Sequence, residues 1–166
     1  MSDVEVAMSS VSSADLIDVS FAGAIVTIDA PDGSIAINNF MDDANPVEFP
    51  DVTVTGYGVN CNGIMIRWAQ PTAILMSVTV IPGSEEDLDL YDLFNDFHVT
   101  HGVNKSEKWG KAISATIHLE HVAAGYPTAY NFYGGTFVSG PPGPSASGDG
   151  KMRGRTYTFA FSYCTR

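Results

Sequence analysis

Thr72–His98, TAILMSVTVIPGSEEDLDLYDLFNDFH, is an apolar strand that breaks at Pro82-Gly83 and passes directly into an acidic amphipathic helix. In its first half Ile74, Met76, Val78 and Val80 alternate with Leu75, Ser77, Thr79 and Ile81, the pattern of a central strand covered on both faces. The helix starts at Ser84, whose hydroxyl caps free backbone amides. Asp87, three residues on, completes a capping box, and Glu85 and Glu86 lie at the positive end of the helix dipole. Leu90, Leu93, Phe94 and Phe97 form one stripe, flanked by Leu88 and Tyr91, while Glu86, Asp89, Asp92 and Asp96 face away from it. This predicts a helix lying across one sheet face and presenting acid outward. No other stretch carries comparable helical periodicity, so the chain reads as mainly β with one flanking α-helix, at about residues 84–98.

Outward from that junction the chain is strands and turns. Gly23–Asn38 is a hairpin turning at Pro31-Asp32-Gly33. Phe40–Pro50 is an acidic surface loop; Asp42, Asp43 and Glu48 lack the alternating oxygen ligands and the glycine of a calcium loop. Strands follow at Val52–Tyr57 and Gly63–Gln70, the second carrying a lone Arg67 that reads as a surface or intersubunit partner. Beyond the helix, Val103–Trp109 is a polar connector with Lys105 and Lys108, and Lys111–Leu119 alternates as a strand with one apolar face. Tyr126–Ser139 is an aromatic strand bent at Gly134-Gly135, and Gly140–Gly150 is a Pro-Gly loop. Arg155–Cys164 closes the chain, with Tyr157, Phe159, Phe161 and Tyr163 on one face. Residues 1–22, rich in Ser and Asp, read as an extended amino-terminal arm with a helical turn at Ala14–Val19, and residues 23–166 as a single β domain.

The 166 residues suffice for one domain with a sizeable core. Only 16% are charged, and 19 Asp plus Glu against 8 Lys plus Arg give a net charge of −11. Such a surface repels nucleic-acid phosphates and excludes a sequence-specific nucleic-acid binder. No apolar run is long enough to span a bilayer, and Asp3 and Glu5 stand where a secretory signal carries positive charge, so synthesis in the cytoplasm is expected. Cys61 and Cys164 are far apart with no metal-ligand spacing. His118 and His121 fall on opposite faces of a strand, which argues for polar surface rather than a metal site. The chain has no nucleophile elbow, phosphate-cradling glycine loop or Cys-His pairing, so neither an enzyme nor a cofactor is expected.

The order of hairpin and strands, the SVTVIPGSEEDLDLYDLF junction and the closing KMRGRTYTFAFSY resembles the tail tube proteins of tailed bacteriophages. The resemblance covers roughly Gly23–Tyr163 in layout. It implies an antiparallel β-sandwich or barrel flanked by the helix, forming homo-hexameric rings that stack into a hollow tube. Phage DNA would pass through that tube without specific binding, and sheath or tape-measure proteins would be further partners, placing the protein in the virion. On this reading the amino-terminal arm and the loops at 42–51 and 140–150 are contacts between subunits. The acidic face Glu86, Asp89, Asp92 and Asp96 and the basic connector with Lys105 and Lys108 form a docking pair between copies. Cys61 and Cys164 either bridge neighbouring subunits as a disulfide or remain free thiols. The alternative is a β-sandwich carbohydrate-binding or virion decoration module using Trp68, Trp109 and the aromatics of Tyr126–Tyr133, although strand alternation places many of these in the core.

Overall fold

The computed structural model describes residues 20–41, 45–98 and 110–166. Ala14–Val19, Asp42, Asp43, Lys105, Lys108 and Trp109, all named above, lie outside the described residues. In chain order the elements are β1 (Ile25–Ala30), β2 (Gly33–Ile37), β3 (Val47–Glu48), β4 (Thr55–Val59), β5 (Met65–Ala69), β6 (Ile74–Val80), α1 (Glu85–Phe97), β7 (Ile113–His118), β8 (Ala129–Ser139), β9 (Arg155–Phe161) and β10 (Tyr163–Thr165).

The strands pair in the order β2-β1-β7-β8-β9-β6-β3, all antiparallel, and β10 adds to β8. The end strands β2 and β3 do not pair, so the sheet is an open sandwich rather than a closed barrel. The layers share β8: its amino-terminal half pairs with β7 and β10, and its carboxyl-terminal half with β9. The fold bends at Gly134-Gly135, where Gly134 has φ 64°. A Cβ on Gly135 would lie 2.7 Å from the Ile113 carbonyl oxygen and overlap the Phe161 ring. Gly135→Ala is therefore expected to cost about 1–3 kcal/mol through overpacking, read as a lower urea midpoint; an unchanged midpoint would show that the bend tolerates a side chain.

Between the layers Val26, Ile28, Ile37, Met76, Val78, Val80, Ile113, Ile117, Phe132, Tyr157, Phe159 and Phe161 form one buried cluster. β6 differs in part from the sequence expectation. It is next to the edge, between β9 and the two-residue β3, and Leu75 on its outer face is exposed. That face is made by hydroxyl pairs, Ser77 with Thr158 at 3.1 Å and Thr79 with Thr156 at 3.0 Å, directly across the β6–β9 register. The last strand also differs. The Tyr157-Phe159-Phe161 face stops at Ser162, whose amide and hydroxyl donate to Tyr133 and Gly134 carbonyls, and Tyr163 emerges exposed, stacked on Tyr133 at 5.1 Å.

Candidate assembly surface

The strand-to-helix junction is fixed by a buried knot. Ser84 caps α1 by accepting the Asp87 amide at 3.3 Å, and the Asp87 carboxylate reaches back to accept the Gly83 amide at 2.9 Å. The same carboxylate accepts the Tyr157 hydroxyl at 2.8 Å and pairs with Arg155 Nε at 3.0 Å, although the Arg155 N–H is not aligned for a hydrogen bond. Arg155 in turn lies over the Tyr91 ring and donates to the Pro141 carbonyl, while Tyr91 donates to Pro142. The Pro-Gly loop, expected to be ordered by another subunit, is thus tied at its start to the chain's own helix. Phe94 and Phe97 complete the seat against Phe137.

Burial, the Asp87 hydrogen bond and the Asp87 charge hold the Tyr157 hydroxyl well above its ordinary pKa of 10.0. As pH rises past 10.0 the unfolded chain releases this proton while the folded chain keeps it, so stability present below that pH is lost above it. The unfolding midpoint is expected to fall on the alkaline side, and Tyr157→Phe should flatten that part of the curve; an unaltered alkaline slope in the variant would contradict the assignment.

At the opposite end of the strands two features meet. β4 and β5 form a separate two-stranded hairpin rather than joining the main sheet. Its base is closed by Gln70 N–H to Val54 O and by the Thr72 hydroxyl to Thr53 O, at 3.2 and 2.9 Å. Its tip is ordered by Asn60, whose side-chain oxygen accepts the Asn62 and Ile64 amides at 3.0 and 2.9 Å, with Gly63 at φ 80°. Strand pleating puts Tyr57, Val59, Met65 and Arg67 on one face and Ile66 and Trp68 on the other, and both faces are open: Tyr57 is 73%, Met65 68% and Trp68 55% exposed. The Trp68 indole lies across Gly56, where any Cβ would overlap it. An isolated two-stranded ribbon is marginal in water, and this one leaves large apolar side chains uncovered on both sides.

Beside the hairpin base the core opens into an apolar groove of about 560 Å³ among Phe21, Phe49, Ile117, Tyr130, Phe132 and Cys164. Val54, at the base of the hairpin, forms part of its wall. The groove continues the inner faces of β7 and the first half of β8 past the point where buried side chains fill the sandwich.

The residues singled out in the sequence separate in space. Cys61 is exposed at the hairpin tip and Cys164 is exposed on β10, both free thiols. Glu86 is half-buried and accepts from Asn39 Nδ2 at 3.0 Å. Asp89 and Asp92 are exposed and Asp96 is half-buried. They overhang the β1–β2 turn and share a cleft of about 260 Å³ with Asp32, Ser34 and Ile35, because α1 leans on β2 as well as β8. Of the aromatics of Trp68 and Tyr126–Tyr133, many of which were expected in the core, Phe132 is buried while Trp68, Tyr126 and Tyr133 are exposed. The sequence reading missed the structural role of Asp87 and the detachment of the hairpin. A usable signal lay in Val52–Ser84, where Arg67 is the only charged residue. Among the described residues no His, Cys, Asp and Glu cluster is arranged to hold a metal, and no helix is long and apolar enough to cross a membrane.

Among the described residues the chain is an open antiparallel sandwich that leaves an ordered apolar hairpin and a neighbouring apolar groove exposed. The family described as Tail fiber protein gp32 matches residues 17–165, and the chain belongs to that family of phage tail structural proteins. Among solved structures the chain is similar to the tube terminating cap of the anti-feeding prophage, at 16% identity and TM-score 0.56 over 96% of this chain and 97% of that one. It is also similar to a chain from the sheath/tube terminator of the PVC extracellular contractile injection system in the extended state, at 20% identity and TM-score 0.54 over 93% and 98%. A chain from the PVC sheath-tube complex in the extended state gives 18% identity and TM-score 0.53 over 99% and 97%. At these identities the likeness is one of fold. No curated protein matches the chain.

Proposed function

We propose that the chain is a ring-forming subunit of the tail tube: copies close into hexameric rings that stack into a hollow conduit for phage DNA. The role is structural, with no chemical step. The observation that carries it is the β4–β5 hairpin, which exposes large apolar side chains on both faces with no cover among the described residues and stands beside an apolar groove likewise open among them. Like-charge repulsion in an acidic chain of net −11 suits a conduit that must not hold DNA. Sheath, terminator or tape-measure proteins are the further partners of such a ring, and the virion is its place.

A second reading, a ring that caps the tube end, is favoured by the fold shared with a tube terminating cap and a sheath/tube terminator. Electron microscopy of the concentrated protein separates the two. Open-ended tubes support the tube subunit and single rings support the cap, while monomers or trimeric fibres overturn both.

A further inference from the structure

We propose that the β4–β5 hairpin of one copy seats its tip in the groove of a second copy of this chain, the groove lined by Phe21, Phe49, Ile117, Tyr130, Phe132 and Cys164; this rests on the ring reading above. The groove walls carry no charged side chain, so an occupant must be apolar and uncharged. In a chain of net −11 that condition is restrictive. Every surface rich in carboxylates repels its counterpart on a neighbour. The hairpin tip, Val59–Ile66, has no charge at all and supplies Val59, Ile64, Met65 and Ile66, each more than half exposed.

The hairpin does not fill its own groove. Its base is closed by the Gln70 amide to the Val54 carbonyl and by the Thr72 hydroxyl to the Thr53 carbonyl, Val54 alone of these lines the groove, and Ile64, Met65 and Ile66 stand clear of the lining. The tip is already ordered by Asn60, so seating it forfeits little conformational entropy. Hairpin and groove are different surfaces at the same end of the strands. Their contact joins unlike patches head to tail, the kind of contact that builds a ring when its rotation closes.

The two cysteines fall on the two halves of this joint, Cys61 at the tip and Cys164 on the groove wall, which supplies the test. A disulfide needs Cα atoms within about 7 Å. Assembled protein is treated with diamide, which takes up two protons and two electrons from a thiol pair and becomes the hydrazine. Non-reducing electrophoresis is expected to show a ladder of linked chains. Peptide mass analysis should identify Cys61 joined to Cys164, and Cys61→Ser and Cys164→Ser should each abolish the ladder.

Links between like cysteines, or rings that form without any Cys61–Cys164 link, overturn the joint but leave the ring reading standing. Failure to assemble at all, with circular dichroism reporting a folded chain, overturns both. The rival occupant is the chain's own amino-terminal segment. In a Cys61→Ser, Leu16→Cys chain, a link from position 16 to Cys164 within one molecule would place that segment in the groove and overturn the proposal.

Discussion

Replacing Asp87 with alanine is expected to lower the unfolding free energy by about 3–5 kcal/mol, the cost of removing one partner from a buried charge pair. The side chain is 4% exposed, accepts from two donors, the Gly83 amide and the Tyr157 hydroxyl, and is ion-paired with Arg155. Alanine leaves the Arg155 charge, itself 14% exposed, without its counter-ion, and leaves the Gly83 amide and the Tyr157 hydroxyl without the carboxylate that accepted them. Asp87→Asn retains an acceptor for Tyr157 while losing the ion pair, so its loss should be smaller. Urea unfolding at constant slope measures both. Because a domain of this size has about 5–15 kcal/mol in total, the alanine variant should be near the edge of folding. A loss under about 1 kcal/mol, no more than an ordinary hydrogen bond contributes, would show that the knot does not anchor the helix.

The second large effect falls on assembly and leaves the fold in place. Ile66→Asp combined with Trp68→Asp puts two carboxylates on one hairpin face whose side chains are exposed in the isolated chain. Exposed substitutions of this kind change stability by about 0.5 kcal/mol or less, so the main unfolding transition should be retained. Association that buries this face would have to desolvate two unpaired charges. Self-association is expected to weaken at least a hundredfold, about 2.7 kcal/mol, as read by sedimentation across a concentration series. A variant that assembles like the parent would remove the hairpin from the joint.

What was legible in the sequence follows the range of the interaction. Ser84, Asp87 and the Leu90-Leu93-Phe97 stripe are local, and the helix they predict at 84–98 is found at Glu85–Phe97 with Ser84 and His98 as caps. The Pro31-Asp32-Gly33 turn likewise yields the β1–β2 hairpin. Strands expected at Val52–Tyr57 and Gly63–Gln70 are found at Thr55–Val59 and Met65–Ala69, but a period of two says nothing about which sheet a strand joins. Their neighbour is each other, and Trp68 consequently lies outside the core. Asp87 reads as a capping residue because its Ser84 partner is three positions away; its partner Tyr157 is 70 positions away, and only folding discloses it. The acidic face of α1 has the periodicity expected, yet the lean of the helix toward β2 brings Asp89, Asp92 and Asp96 over the Asp32 turn.

The uncharged hairpin tip, Val59–Ile66, on a strongly acidic chain also sets a tempo. Between approaching copies the carboxylates act over the Debye length, about 30 Å at 0.01 M salt and 10 Å at 0.1 M, whereas the hairpin acts only on touch. In dilute buffer, on the proposed ring reading, the charge is expected to act as a colloidal barrier between copies. Raising the ionic strength lowers that barrier without weakening the apolar joint. On the proposed ring reading, copies are therefore expected to associate faster at 0.1 M than at about 0.01 M salt.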